Sequence, residues 1–146
     1  MDKVGVKWAA SPFNDYFAEL ADKAGMGLSR SYYLRDRAGA APQLNSALKL
    51  CDFLIQGTQE VLQLPTATAT NDNGRRLGFL HAYISGLCDV DERNDIQKHA
   101  REIKSGIAEI IRTSDLPPTE FVTESGKFFS YINYLMHKHQ RDGILR

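Results

Sequence analysis

The chain has 146 residues, 42% of them hydrophobic and 25% charged, which suffices for one compact core or two small ones and excludes a chain disordered by composition. Its 18 Lys and Arg balance 18 Asp and Glu, unlike a strongly basic nucleic-acid binder, although a small DNA reader depends on where its charges sit rather than on their sum. No run of about 18 apolar residues could span a bilayer, and residues 1–11 lack the apolar stretch of a secretory signal, so the sequence reads as a cytoplasmic protein with no membrane partner.

The first segment, residues 2–11, is a candidate helix in which Gly5 is unfavourable and Pro12 is expected to force an early end. A second helical segment follows and closes on Leu20, Ala21 and Ala24, where small side chains allow another helix to cross closely; all three are expected to be buried. The chain then turns through Gly25-Met26-Gly27. Ser29 can cap the next helix through its hydroxyl, placing Arg30, Ser31, Tyr32 and Arg35 within that helix's first two turns. Between Gly27 and Gly39, Arg30, Arg35 and Arg37 stand against the single acid Asp36, a local net charge of +2. In a helix-turn-helix the second helix enters the major groove N-terminal end first, so long donors in those turns reach base edges while flanking cations such as Lys23 hold phosphates.

The stretch "QLPTATATNDNG", Gln63 to Gly74, breaks the helical pattern with a proline, a Thr/Ala alternation without a buried face, and Asn/Asp/Gly turn chemistry. The expected division is therefore residues 1–64, a linker at 65–74, and a second helical region at 75–146. Within that region Leu77, Leu80, Ile84 and Leu87 form one apolar stripe, with Tyr83 beside them. Asp89 and the acids after it suit a helix N-terminus, and Ile96, Ala100, Ile103, Ile107 and Ile110 make the next stripe. "TSDLPP" stops it, and Phe121, Phe128, Phe129, Ile132, Leu135 and Met136 make a third. These helices could cover one another. So much Ile and Phe in about 75 residues equally suits a core shared between two subunits, and Phe121, Phe128, Ile132 and Leu135 are the expected homodimer surface.

The segment "LADKAGMGLSRSYYLRDRAG", followed by "APQLNSALKLCDFL" and "GTQEVLQL", resembles the Cro and phage-repressor type of helix-turn-helix domain over about residues 14–64. Leu20-Ala21 with Ala24-Gly25 precede the turn, Ser29-Arg30-Ser31-Tyr32 open the recognition helix, and Pro42, Leu44, Ala47, Leu48, Leu50, Asp52 and Leu54 fall in the helix after it. Thr58 to Leu62 resembles the family's short closing helix. The resemblance implies an all-α chain: an N-terminal domain of about five short helices, then C-terminal amphipathic helices. It also implies a transcriptional regulator that binds double-stranded DNA through Ser29, Arg30, Ser31, Tyr32, Arg35, Arg37 and Lys23. Met26-Gly27-Leu28 makes the turn longer than the family's usual one.

Other chemistries find little support. Cys51 and Cys88 lie in apolar helical patterns without metal-type spacing and read as buried free thiols. His137 and His139 are two apart and diverge on a helix, and "DVDERND" lacks the glycine and terminal glutamate of a calcium loop, so no metal is expected. No phosphate loop, nucleophile elbow or isolated carboxylate pair appears; the chain reads as a non-enzyme without a cofactor. The competing reading is a helical protein-binding module, such as an adaptor, a secretion chaperone or a phage-encoded inhibitor, whose C-terminal helices take a protein partner.

Overall fold

The computed structural model describes residues 2–60 and 72–145, and their side chains over 15–60 and 72–136. The fold is all-α, with six helices and no strand among the described residues. They are α1 (Asp2–Gly27), α2 (Arg30–Arg35), α3 (Arg37–Gly57), α4 (Asp72–Leu87), α5 (Val90–Thr113) and α6 (Thr119–Leu145).

Caps and breaks fix these boundaries. Ser29 caps α2, its hydroxyl accepting from the Tyr32 amide at 3.3 Å, as its position in the sequence predicts. Asp36 ends α2 and caps α3, accepting from the Gly39 amide at 2.9 Å. Asp89 opens α5 with a reciprocal capping box: its carboxylate accepts from the Glu92 amide at 2.8 Å, and Glu92 accepts from the Asp89 amide at 3.1 Å. Ser114 ends α5 in the left-handed region, with φ of 58°. Pro117 and Pro118 follow.

The N-terminal half departs from the five short helices expected. It holds a long helix, a six-residue one and another long one. Helix α1 runs unbroken past Pro12, because a proline removes one backbone bond while Phe17, Leu20, Ala21 and Ala24 anchor the helix beyond it. The turn is also later and tighter than Gly25-Met26-Gly27 suggests: α1 keeps all three, and only Leu28 and Ser29 separate it from α2. Thr58 caps α3 instead of opening a closing helix, its hydroxyl donating back to the Leu54 carbonyl at 2.6 Å, while Leu62 and residues 61–71 lie outside the described residues.

Four helices make an antiparallel bundle. Asp22 of α1 lies against Asn133 of α6, and Arg30, just past α1, against Thr119, so these helices run in opposite directions. Phe17 of α1 meets Phe53 of α3 edge to face at 5.2 Å. At the other end Gly27 abuts α3 so closely that a Cβ there would lie 2.8 Å from Gln43 Cβ and 2.9 Å from the Leu44 backbone nitrogen. Helices α3 and α5 are also antiparallel, with Asp52 paired to Lys104 at 2.6 Å and the Gln97 amide donating to the Ile55 carbonyl at 3.2 Å. Helix α4 lies across α3, where its His81 Nδ1 donates to the Gly57 carbonyl at 3.0 Å.

Leu20, Ala21 and Ala24 are buried as expected, on a helix that packs mainly on α3 and α6 and only slightly on α2. The stripes on α4, α5 and α6 are also buried as expected, with a different cover. The three helices scarcely pack on one another: α6 lies along α1, and α5 and α4 lie on α3. One core therefore spans both sides of the 65–74 segment, from Phe17 and Leu50 to Ile107 and Ile132, in place of two separate units. This corrects the dimer surface. Phe128, Ile132 and Leu135 are 8%, 0% and 5% exposed within a single chain, because α1 supplies the cover that the C-terminal helices alone could not. Phe121 is half-buried, its ring seated on Gly106.

Candidate functional site

The residues expected to read DNA gather at one end of the bundle but do not form one recognition helix. Arg30, Ser31, Tyr32 and Arg35 are on α2, Ser29 caps it, Arg37 opens α3, and Lys23 lies on α1. Tyr33 pins α2 to the core, leaving Arg30, Ser31, Leu34 and Arg35 exposed. Each arginine has an internal partner: Arg30 donates to the Thr119 hydroxyl at 2.9 Å, Arg35 stacks over Tyr32 at 5.5 Å, and Arg37 over Tyr33 at 5.3 Å. Lys23 pairs with Glu19 of its own helix at 3.1 Å. Asp36, the lone acid, is turned onto the amide of Gly39. With Met26, Leu34 and Ile111 exposed as well, this end of the fold is a mixed basic and apolar surface, with a small pocket of about 100 Å³ between Tyr33, Arg37, Leu44 and Ile111.

A second region was not evident from the sequence. Three seams of the bundle, α1/α6, α1/α3 and α3/α5, pack closely, although α3/α5 leaves a pocket of about 480 Å³ between Asp52, Gln56, Arg101 and Lys104 at its rim; the fourth, α5/α6, closes at one end only. It closes where Phe121 of α6 lies on Gly106 of α5, an approach so close that a Cβ at Gly106 would overlap the ring. From there the helices part, and between the N-terminal half of α5 and the middle of α6 a groove encloses about 360 Å³. Its floor is apolar, made by Ile96 and Phe128.

The walls follow from helical spacing. On α5, Glu92, Asp95 and His99 stand three and four residues apart beside Ile96, and on α6, Glu124, Lys127 and Tyr131 do the same beside Phe128. His99 lies tilted against Phe128, ring centres 6.1 Å apart, and its Nδ1 is 2.9 Å from the Asp95 carbonyl. A carbonyl only accepts, so Nδ1 donates and Nε2 of the neutral ring is left as an acceptor. Lys127 reaches Glu124 at 3.8 Å, a loose pair between exposed side chains. Tyr131 is 39% exposed, and its phenol is held above its ordinary pKa first by burial of its inner part, then by the neighbouring Cys88 and after that by the charge of Glu92. It therefore remains a neutral hydroxyl across the physiological range. Tyr134, one turn on, is exposed and continues this aromatic face of α6.

The sequence holds a faint signal for this groove: acids and an imidazole on the shoulders of α5's apolar stripe, and a tyrosine on the shoulder of α6's. Sequence reasoning takes the first set as a helix N-terminus and a solvated histidine, and Asp89 does cap α5. Glu92 serves both roles, capping α5 and standing at the groove.

Elsewhere the titratable groups are structural. Burial, with Asp52 beside it, pushes the Cys51 thiol up to about 12, and Cys51 and Cys88 are both buried thiols outside any disulfide. Among the described residues no group of three or more His, Cys, Asp or Glu could hold a metal, and no helix is long and apolar enough to cross a membrane. His137 and His139 lie outside the described side chains. Comparison of the chain with protein-family models, curated proteins and solved structures finds no match.

Proposed function

We propose that this chain is a helical protein-binding module, a non-enzyme that holds a helix of another protein in the groove between α5 and α6. The observation that carries the reading is the α5/α6 seam, which closes only where Phe121 lies on Gly106 and is otherwise open over an apolar floor. Two antiparallel helices that meet at Gly106 and Phe121 and then part leave a groove of about 360 Å³ whose floor reaches the buried Ile96 and Phe128 and whose wall exposes the ring of Tyr131. A helix laid in a hydrophobic groove is a standard mode of peptide recognition, and a fifth helix here would complete the packing pattern of the other four. The test is alanine substitution of Tyr131, whose ring is on the wall and outside the core. Tyr131→Ala is expected to leave the melting temperature within a few degrees and to weaken capture of a helical peptide, read by calorimetry. Unchanged peptide binding would overturn the reading.

A second reading, a DNA-binding regulator, has its own observation: Ser29 caps α2, and Arg30, Arg35 and Arg37 all reach the surface at one end of the bundle. A dimer that reads DNA would have to pair through a surface other than Phe128, Ile132 and Leu135. The test is a gel shift on random duplex DNA at low salt, where a DNA reader shows salt-sensitive retardation before any operator is known. No retardation would overturn this reading and leave the first untouched.

A further inference from the structure

We infer that the α5/α6 groove selects a basic partner, an amphipathic helix that presents arginine or lysine beside its apolar face; this rests on the reading of the groove as a docking site. The chemistry of the walls sets the selection. Glu92 and Asp95 bring two carboxylates from α5 and Glu124 brings one from α6, against the single ammonium of Lys127. In its neutral form His99 adds a further acceptor at Nε2, because its Nδ1 donates to the Asp95 carbonyl. Around an apolar floor the groove thus offers many acceptors and few donors, in a protein whose overall charge is balanced.

A guanidinium fits this set better than any neutral group. It can take a carboxylate from each wall in bidentate fashion, and its planar face can stack on the exposed ring of Tyr131. Lys127 does not already fill that role. It reaches Glu124 only at 3.8 Å, with both side chains mostly in solvent, so an incoming cation can displace it at little cost. It forms no ion pair with Glu92 or Asp95 on the opposite wall. An acidic helix would meet three like charges at the same place, and like-charge juxtaposition across an interface is strongly unfavourable. Apolar side chains at i, i+3 and i+4 of the occupant would rest on Ile96 and Phe128 while its basic residues meet the walls.

The experiment uses the full chain and two synthetic helical peptides of about 18 residues, identical on their leucine face and bearing either arginine or glutamate on the other. Isothermal titration at low salt is expected to show the arginine peptide binding at least about tenfold tighter, with the advantage shrinking as salt is added. The variant Glu92→Gln/Asp95→Asn/Glu124→Gln should lose the preference, and Glu92→Lys/Asp95→Lys/Glu124→Lys should reverse it. All three side chains are exposed, and Asp89 still caps α5, so circular dichroism should show both variants folded. Equal affinity of the wild type for the two peptides overturns the charge selection and leaves the docking site standing. Binding of neither peptide overturns both. Self-association of the wild type that the lysine variant abolishes would make the occupant a second copy of this chain, and would overturn the assignment to another protein's helix.

Discussion

The α2 end and the α5/α6 groove carry similar amounts of charge and differ in what lies beneath it. At the α2 end Arg30, Arg35 and Arg37 rest on Thr119, Tyr32 and Tyr33, and Tyr33 is packed into the core, so the arginines cover a surface whose pocket, beside Arg37, is only about 100 Å³. In the groove the carboxylates of Glu92, Asp95 and Glu124 stand around a volume of about 360 Å³ over Ile96 and Phe128. An arginine cluster is conspicuous in a sequence, whereas an unfilled seam is not. What separates a decorated surface from a receptive one is the space between elements, and that depends on which helices pack together.

The largest effect expected separates the walls from the core they stand on. Leu135 is 5% exposed on the side of α6 turned away from solvent, so Leu135→Asp forces a carboxylate among apolar side chains with no partner. The cost should exceed about 4 kcal/mol and unfold the chain or leave it molten, read by urea denaturation and near-ultraviolet circular dichroism. Had α6 faced a second subunit, the same change would have produced folded monomers. A well-folded Leu135→Asp monomer would restore the dimer surface and remove α6 as a fixed wall.

A smaller effect should come from the closed end of the seam. Gly106→Ala places a methyl into the Phe121 ring, which must tilt or push α5 from α6. Overpacking of this kind costs roughly 1–3 kcal/mol. It should also widen the groove, loosening peptide capture while leaving the α2 end unchanged. An alanine accepted without loss of stability would mean that the two helices are not locked there.

The buried thiol supplies a probe of the packed side of the bundle. Cys51 on α3 has its pKa pushed up to about 12, first by burial and then by Asp52. A raised folded-state pKa favours the protonated fold, so this contribution is complete below the unfolded thiol's value of 9.0 and is lost as pH rises from there toward about 12. Wild-type stability should therefore fall over that range, by at most about 1.4 kcal/mol per pH unit, more steeply than that of Cys51→Ala. Native protein at pH 8 should also resist thiol reagents until it is unfolded. Ready modification of Cys51 in the folded chain would show that the α3/α5 seam opens as well, and the contrast between seams would fail.

The sequence discloses much of the fold and little of the groove. The stripes Leu77 to Leu87, Ile96 to Ile110 and Phe121 to Met136 mark α4, α5 and α6, and the caps at Ser29 and Asp89 stand where their hydrogen bonds require them. A stripe reports that a face is buried without naming what buries it. Hence α6 looked starved of cover when α1 was there to provide it, and Phe128, Ile132 and Leu135 looked like a dimer surface. The length of α2 was hidden for a related reason: Asp36 serves as C-cap of one helix and N-cap of the next, and an acid after an arginine carries no mark of that double role. The groove depends on α5 and α6 parting beyond Gly106, a property of two helix axes that periodicity along either one does not contain.

The smallest effects are expected at the α2 end, and they bear on whether it is only a decorated surface. Ser29→Ala removes the acceptor for the Tyr32 amide and should cost about 1 kcal/mol, the usual value of an N-cap. Arg30→Ala removes one exposed hydrogen bond to Thr119, and exposed contacts of that kind are worth under about 1 kcal/mol. Arg35→Ala removes a stacking contact over Tyr32 of similar weight. If the arginines serve only these internal partners, the two alanine variants shift the urea midpoint slightly and change nothing else, and duplex DNA at low salt passes the wild type and both variants alike. If instead α2 enters a groove of DNA, each substitution should weaken binding by roughly 1–3 kcal/mol where the lost contact is to a base, with the melting curve almost unmoved. That second pattern would give the α2 end a ligand of its own. It would also break the contrast with the α5/α6 groove, since a surface with little space beneath it would then be as receptive as an open one.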